Sequence, residues 1–155
     1  MREVIIESNG ERAVEVSFIC EMLEKYGHEK NSILDVGGIP TDSKANAMIE
    51  STYIWKRMVY HVCDFRGGTY RGDFVTLPIE EKFDFIIFLS SLEHFPMCTE
   101  GDMAFKEDED IKGFQKAVSL LNPGGKILLT VPFGEPIWQP YHQNYDMKRI
   151  EKMSK

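Results

Sequence analysis

The chain has 155 residues, a length that fits one compact domain, and its hydrophobic fraction of 43% is enough to build a buried core. A formal net charge of -7 argues against a protein that binds a nucleic-acid backbone, because such proteins usually present a basic face. The three cysteines form no C-x-x-C pair, the N-terminal residues lack the apolar core of a secretion signal, and no apolar run is long enough to span a bilayer. We therefore expect a soluble cytoplasmic domain that binds neither nucleic acid nor membrane.

The first part of the chain predicts a helix followed by a buried strand. Residues 11–26 carry apolar residues at helical spacing and precede Gly27, a pattern typical of an amphipathic helix with a C-terminal stop. Its apolar stripe is expected to be Val14, Phe18, Met22 and Tyr26, with Ile19 and Leu23 beside it. Residues 32–36 (SILDV) form a short apolar run that ends at Gly37 and Gly38, as in a buried strand that enters a tight turn.

A weaker helix and two further strands come next. Residues 41–51 favour a helix, for which the cap would be Thr41, Asp42 or Ser43 and the residues facing the sheet Ala45, Met48 and Ile49. Residues 58–63 (MVYHVC) have strand-forming character and end at Asp64. A Gly-Gly break then precedes a brief strand around residues 70–74.

The last predicted elements complete an alternating pattern. Residues 83–89 (FDFIIFL) are almost continuously apolar, as expected of a central strand covered on both faces. Residues 111–121 predict a helix that ends at the NPGG stretch 122–125, and its apolar side would be Phe114, Ala117, Val118 and Leu121. Residues 126–131 (KILLTV) predict another buried strand. The alternation implies parallel strands joined by right-handed crossovers, hence a doubly wound α/β fold with three layers.

Two other patterns have ordinary explanations. Residues 100–110 (EGDMAFKEDED) are interpreted as a solvated loop whose acidic residues favourably precede the N-terminus of the next helix. The four histidines, His28, His61, His94 and His142, show no spacing typical of metal ligands, so no metal is predicted.

Five segments, taken in order, resemble the class I S-adenosylmethionine-dependent methyltransferases. They are ILDVGG at 33–38, VCDFRG at 62–67, GDF at 72–74, FDFIIFLSSLEHF at 83–95 and LNPGGKILLTVPFG at 121–134. The match is best with the subgroup in which the fourth strand ends in Ser-x-x-Glu-His and the fifth in Thr-Val-Pro-x-Gly. An Asp-x-Gly-Gly turn alone is common, so the resemblance depends on the ordered set, which spans residues 33–146. It implies a Rossmann-like core that binds S-adenosylmethionine and releases S-adenosylhomocysteine.

The resemblance also implies where the cofactor would bind. Open α/β sheets bind nucleotides at the carboxyl ends of their strands, and glycines after the first strand let the backbone approach a ligand. The implied cofactor residues are Asp35, Gly37, Gly38, Asp64, Asp73, Phe74, Ser90 and Leu92. Asp64 would accept hydrogen bonds from the ribose hydroxyls, and Asp73 would accept one from the adenine amino group. Phe74 would donate its backbone N–H to the adenine ring. Three ordinary interpretations stay open: glycines that serve only strand-to-helix packing, an Asp64 that caps the following turn, and an Asp73 that is a surface turn acid.

Acceptor-side residues are predicted in two segments. Glu93 and His94 would open toward the methyl acceptor, with His94 as the base that removes a proton and Glu93 orienting it or binding the acceptor. A partly buried polar histidine without a catalytic role is the alternative. Residues 136–146 carry four residues that could cover a substrate or simply pack against the sheet edge: Trp138, Tyr141, His142 and Tyr145.

The chain departs from the family pattern in two places. Ile39 and Pro40 stand where further glycines usually follow, and both restrict how closely the backbone can wrap a cofactor. The family sheet also continues beyond the fifth strand with a helix and two more strands. Without them the fifth strand would be an exposed edge, which a second copy of the chain could cover.

We therefore expect one methyltransferase-like domain over residues 1–155, with a leading helix at 1–30, a nucleotide-binding core at 31–134 and a substrate-side loop and helix start at 135–155. Its expected activity is methyl transfer to a small molecule or a glycan-type acceptor such as a sugar intermediate. A non-catalytic domain that acts through subunit pairing is the main alternative. A nicotinamide-dependent oxidoreductase is the other, although residues 37–42 do not supply its G-x-G-x-x-G turn.

Overall fold

The computed structural model of the chain describes residues 11–38, 49–54, 56–95, 106–135, 138–139 and 142–154. The Ile39–Pro40 pair, the candidate caps at 41–43, Ala45, Met48 and Tyr141 lie outside these residues, as do the side chains of Trp138 and His142.

Helices and strands alternate along the chain. The first half contains α1 (Glu11–Tyr26), β1 (Ser32–Val36), a helical stretch at 49–54 that we label α2, β2 (Val59–Asp64) and β3 (Tyr70–Arg71). The second half contains β4 (Phe83–Leu89), a 3-10 turn (Leu92–His94), α3 (Glu109–Ser119), β5 (Leu121–Thr130), β6 (Trp138–Gln139), β7 (His142–Gln143) and α4 (Met147–Met153).

Five strands form one sheet in the order β3-β2-β1-β4-β5, and every neighbouring pair is parallel. The strand order reverses between β1 and β4, so a crevice is expected at the carboxyl ends of these strands. The predicted α/β, Rossmann-like fold with a parallel sheet is confirmed, and the described residues form fewer strands than the complete arrangement has. The short β6 and β7 form a separate antiparallel pair.

Both faces of the sheet are buried under helices. Alternate residues of one strand point to opposite faces, so Ile33 and Leu34 of β1 belong to two different cores. The core under α1 and α2 contains Val16, Ile19, Leu23, Ile33, Ile49, Phe85, Ile87 and Leu128. The core under α3 and α4 contains Leu34, Val36, Ile86, Phe88, Ile111, Ala117 and Met153. This arrangement is the predicted three-layer sandwich.

The predicted apolar face of α1 is confirmed for Ile19 and Leu23 and is wrong for Val14, Phe18 and Tyr26. Val14 is 72% exposed and Phe18 and Tyr26 are also exposed, whereas Val16, Ile19 and Leu23 are buried against the sheet. The helix carries two overlapping apolar stripes, and the sequence period does not say which one meets the sheet. Val118, which was predicted on the apolar side of α3, is 52% exposed, so that part of the prediction is also wrong.

Two strand boundaries also differ from the prediction. β3 covers only Tyr70–Arg71, because the chain leaves the sheet at Gly72. β5 begins at Leu121 rather than at residue 126, and the NPGG stretch lies inside it as an irregularity: Leu121 pairs with Phe83 and Lys126 with Phe85. Gly124, with φ of 82°, allows the extra residues to bulge without ending the strand.

None of the helices in the described part of the chain combines the length and apolar character that a membrane crossing requires.

Candidate functional site

A cleft opens at the carboxyl ends of β1, β2 and β3. It encloses about 420 Å³ of open space, including its solvent-facing mouth. Four of the predicted cofactor residues line it: Gly37, Asp64, Asp73 and Phe74. The topology brings them together, because parallel strands end at the same edge of the sheet.

Gly37 forms the turn where β1 ends. Its φ of 82° is strained for other residues, and a Cβ built on it would lie 2.6 Å from the Cβ of Ser91. Its backbone N–H donates to the carbonyl of Cys63 at 2.8 Å, and the Ser91 hydroxyl donates to the carbonyl of Val36 at 2.6 Å. These contacts join the β1 turn to β2 and to the segment that follows β4.

Asp35 lies beneath this turn and is only 4% exposed. The Tyr60 hydroxyl donates to its Oδ2, whereas its Oδ1 has no hydrogen-bond partner among the described residues. A side chain at Gly38 would run into the Asp35 carboxylate, so the glycine allows the two to be adjacent. Burial raises the pKa of Asp35 to about 6, opposed by the Tyr60 hydrogen bond, further raised by the charge of Asp64 and lowered by Arg12.

Asp64 caps the turn that follows β2. Its Oδ1 accepts hydrogen bonds from the backbone N–H of Arg66 at 2.7 Å and from its Nε at 3.1 Å. Its Oδ2 accepts one from Nη2 of the same guanidinium at 3.3 Å. The capping alternative therefore describes what the structure shows. The Arg66 side chain is 59% exposed, so it has room to turn away when another donor approaches Asp64.

Asp73 and Phe74 form the third side of the cleft. Asp73 Oδ1 accepts from the backbone N–H of Val75 at 2.9 Å, which leaves Oδ2 outside this turn. The Phe74 ring packs edge-to-face against Phe88 and Phe95, with centroids 5.8 Å and 6.2 Å away. The aromatic cluster gives the cleft an apolar wall.

Phe95, Val75 and Cys63 also line the cleft and were missed by the sequence prediction. Phe95 packs on α3, where a Cβ at Gly113 would lie 2.5 Å from the Phe95 ring. A glycine inside a predicted helix was the available signal for such a close approach. Burial raises the pKa of the Cys63 thiol to about 11, so this side chain is a neutral part of the wall.

The predicted site residues Ser90, Leu92, Glu93 and His94, which follow β4, lie outside the cleft lining. The Ser90 hydroxyl donates to Glu15 of α1, and Leu92 is fully buried in the core. Glu93 is 3% exposed, and its Oε1 lies 4.0 Å from Nε2 of His94. The His94 side chain is 46% exposed. Glu93 and His94 are therefore adjacent, with the imidazole open to solvent and the carboxylate buried, and their role toward an acceptor stays a prediction.

Tyr145, for which the sequence left substrate covering and packing both open, is fully buried. The Gln143 amide donates to the Tyr145 hydroxyl at 2.8 Å and to Asp110 at 2.7 Å. Burial and the neighbouring Asp110 charge raise the pKa of Tyr145. The packing alternative describes this residue in the present structure, and contact with an acceptor would need the segment to move.

The sequence matches no protein-family model and no curated protein sequence. The described residues contain no group of three or more His, Cys, Asp or Glu side chains that could hold a metal ion. Because one fold supports many functions, the functional argument depends on the residues of the cleft.

Proposed function

We propose that the chain binds S-adenosylmethionine in this cleft and transfers its methyl group to an acceptor of small-molecule or glycan type. The observation that carries the proposal is the lining of the cleft: an apolar wall, a glycine turn, and the carboxylates of Asp64 and Asp73 at the ends of neighbouring strands. An adenosyl group presents the complementary surfaces, namely a flat ring, two ribose hydroxyls and an amino group.

The residues present fit this cofactor. Its amino-acid end carries an ammonium group, and Asp35 Oδ1, which is buried beneath the glycine turn outside the cleft lining and has no partner among the described residues, would accept from it once the turn admits the ligand. Asp64 would hold the ribose after Arg66 turns aside, and Asp73 would hold the adenine amino group through Oδ2. The three acids give this edge of the sheet a negative charge that favours a cationic ligand.

The protein would contribute mainly position and proton removal. Bound S-adenosylmethionine supplies an already activated methyl group, so little covalent help is needed. His94 would accept the proton of the acceptor, since its imidazole is exposed, and Glu93 would hold the imidazole from its buried side. The Gly37–Ser91 contact keeps this segment in register with the cleft.

Binding is tested by thermal shift with S-adenosylmethionine, S-adenosylhomocysteine and NAD in parallel. A ligand that binds only the folded state stabilises it by about 2.7 kcal/mol at a hundredfold excess over its Kd. We expect both sulfur nucleosides to raise the melting temperature. Asp64→Asn and Asp73→Asn should weaken this response, and Glu21→Gln, which changes an exposed acidic residue on α1, should leave it unchanged. A response to NAD alone would replace the proposal with oxidoreductase chemistry.

A non-catalytic domain is the second candidate, and the engagement of both Asp64 oxygens by Arg66 favours it. It predicts no response to any of the three ligands. For a binding-competent protein, His94→Ala is expected to lower turnover by about a hundredfold or more with cofactor affinity intact. Unchanged turnover would remove His94 from the mechanism.

We further propose that the protein is cytoplasmic and that it pairs with a second copy of itself. β5 pairs only with β4 among the described strands, so the described residues place no strand on its other edge, where a second copy would pair. Light scattering at a mass of twice 17.9 kDa would support pairing, and a monomer mass would exclude it.

A further inference from the structure

Lys116 reaches from α3 to the loop that carries Asp73 and Phe74. Its Nζ donates to the carbonyl of Leu77 and, at 3.3 Å, to the carbonyl of Val75. The same Nζ lies 5.2 Å from the centroid of the Phe74 ring. One cation on a helix thus makes three contacts with a five-residue loop far away in the sequence.

The loop uses its own N–H groups internally and leaves carbonyls for Lys116. The Asp73 carbonyl accepts from Thr76 and Leu77 at 3.1 Å and 2.8 Å, and Asp73 Oδ1 accepts from Val75. The carbonyls of Val75 and Leu77 then face α3, where the ammonium group binds them. Hydrogen bonds from a charged donor are stronger than neutral ones, so Lys116 adds to the internal bonds that hold the loop.

Packing of α3 does not need this cation. The helix already buries Ile111 and Ala117, and its neighbour Lys112 is exposed and pairs with Glu109 at 2.5 Å. Lys116 is instead partly buried, and burial lowers its pKa. A lysine placed there costs desolvation, which the loop carbonyls and the Phe74 ring offset.

We propose that Lys116 is a positioning residue for adenine recognition: it holds the 73–77 loop so that Asp73 Oδ2 and the backbone of Phe74 face the edge of the ring. This inference rests on the proposed function, because it names the part of the cleft that distinguishes one purine from another. Lys116 acts through Asp73 and Phe74 and does not itself touch the ligand.

The test compares S-adenosylhomocysteine with S-inosylhomocysteine, in which an oxygen replaces the adenine amino group, by isothermal titration. Wild-type protein should prefer the adenosyl ligand, since Asp73 accepts from the amino group. Lys116→Met should weaken adenosyl binding by about tenfold and bring the two affinities together, because the loop no longer presents Asp73 correctly. Lys116→Arg, which keeps a cationic donor, should restore much of the preference, and Lys112→Met should not alter it.

Amide hydrogen exchange without ligand gives a second readout. In Lys116→Met the amides of Val75, Thr76 and Leu77 should exchange faster, whereas those of β1 should not change. Wild-type protein that binds neither nucleoside would overturn both the proposed function and this inference. The inference alone would be overturned if wild-type protein prefers the adenosyl ligand and the Lys116→Met variant keeps that preference. It would also be overturned if the variant keeps the wild-type exchange rates.

Discussion

Asp35 carries a carboxylate that the fold removes from water, and only Oδ2 receives a hydrogen bond from the described residues. Burying a charge with incomplete compensation costs free energy, which is the physical origin of its raised pKa. Groups perturbed in this way concentrate at functional sites, where a ligand supplies the missing partner. Asp35 is therefore expected to reduce the stability of the protein without ligand and to favour a cationic ligand.

We predict that the stability contributed by Asp35 depends on pH with a defined sign. Its pKa of about 6 in the folded state exceeds the ordinary 3.8, so folding favours the neutral carboxyl. The stability that this preference gives the folded protein is fully present below pH 3.8 and is lost as the pH rises through 6. The groups that face it are Tyr60 and Asp64 on β2 and Arg12 on α1. Asp35→Asn should raise the free energy of unfolding at pH 7.5 by on the order of 2–3 kcal/mol, and much less at pH 4.5. Urea denaturation of both proteins at pH 7.5 and at pH 4.5 measures these free energies of unfolding.

Asp84 provides the matched control with the opposite sign. Hydrogen bonds from Ser32 at 2.8 Å and Asn122 at 3.0 Å outweigh partial burial and lower the pKa of Asp84. The stability it contributes is present above pH 3.8 and is lost as the pH falls through the lowered value. Asp84→Asn should therefore destabilise the protein at pH 7.5. An equal effect of Asp35→Asn at both pH values would contradict the burial argument.

At the level of elements, Asp110 joins the first turn of α3 to α4 and β7. It is fully buried and accepts from Arg149 Nη2 at 2.6 Å, Arg149 Nε at 3.1 Å and Gln143 at 2.7 Å. Arg149 also pairs with Asp108 at 2.9 Å. A carboxylate near a helix N-terminus further interacts favourably with the helix dipole. This network explains how residues 142–154 are held against the core although β6 and β7 are only two residues long.

We predict that Asp110→Ala lowers the free energy of unfolding by about 3–5 kcal/mol, because the Arg149 guanidinium, whose side chain is 16% exposed, then loses its fully buried carboxylate partner. Lys152→Met removes only an exposed partner of Asp108 and should cost less than about 1 kcal/mol. Chemical denaturation of both variants provides the comparison. The double variant Asp110→Ala/Arg149→Met should lose less than the sum of the two single changes, and simple additivity would show that the pair is not coupled.

On the scale of the whole molecule, one parallel sheet separates two cores that share every central strand. β1 contributes Ile33 to the α1 side and Leu34 to the α3 side, and β4 contributes Ile87 and Ile86 in the same way. Neither layer of helices can detach without exposing a face of the same strands. The two cores should consequently unfold together.

We predict a single unfolding transition for variants of either core. Leu23→Ala on α1 should cost about 2–5 kcal/mol and Ile111→Val on α3 about 0.5–1.5 kcal/mol. The two sites lie on opposite faces, so the double variant should show the sum within about 0.5 kcal/mol. Far-ultraviolet and near-ultraviolet circular dichroism should report the same midpoint, and separate midpoints would mean that the layers unfold independently.

The strands and the cleft residues were predictable to different extents. β1 and β4 are apolar runs whose partners lie on both faces, and such runs are visible in the sequence. The sequence predicts Asp64 at the end of a strand and Asp73 within the brief strand at 70–74, and the parallel topology brings both to the same edge of the sheet. The partner of Asp64 was open between a ligand and the adjacent turn, and only the position of the Arg66 guanidinium shows that the turn occupies it here.

The amino-acid sequence by itself determined the α/β class, the order of the central strands along the chain and the glycine turn, because these depend on periodicity and on conformations accessible to a few adjacent residues. Only the tertiary structure decided which face of α1 is buried, that Tyr145 lies inside the core, and that Phe95 and Lys116 converge on the loop after β3. Each of these depends on contacts between residues far apart in the chain, and no local pattern records them.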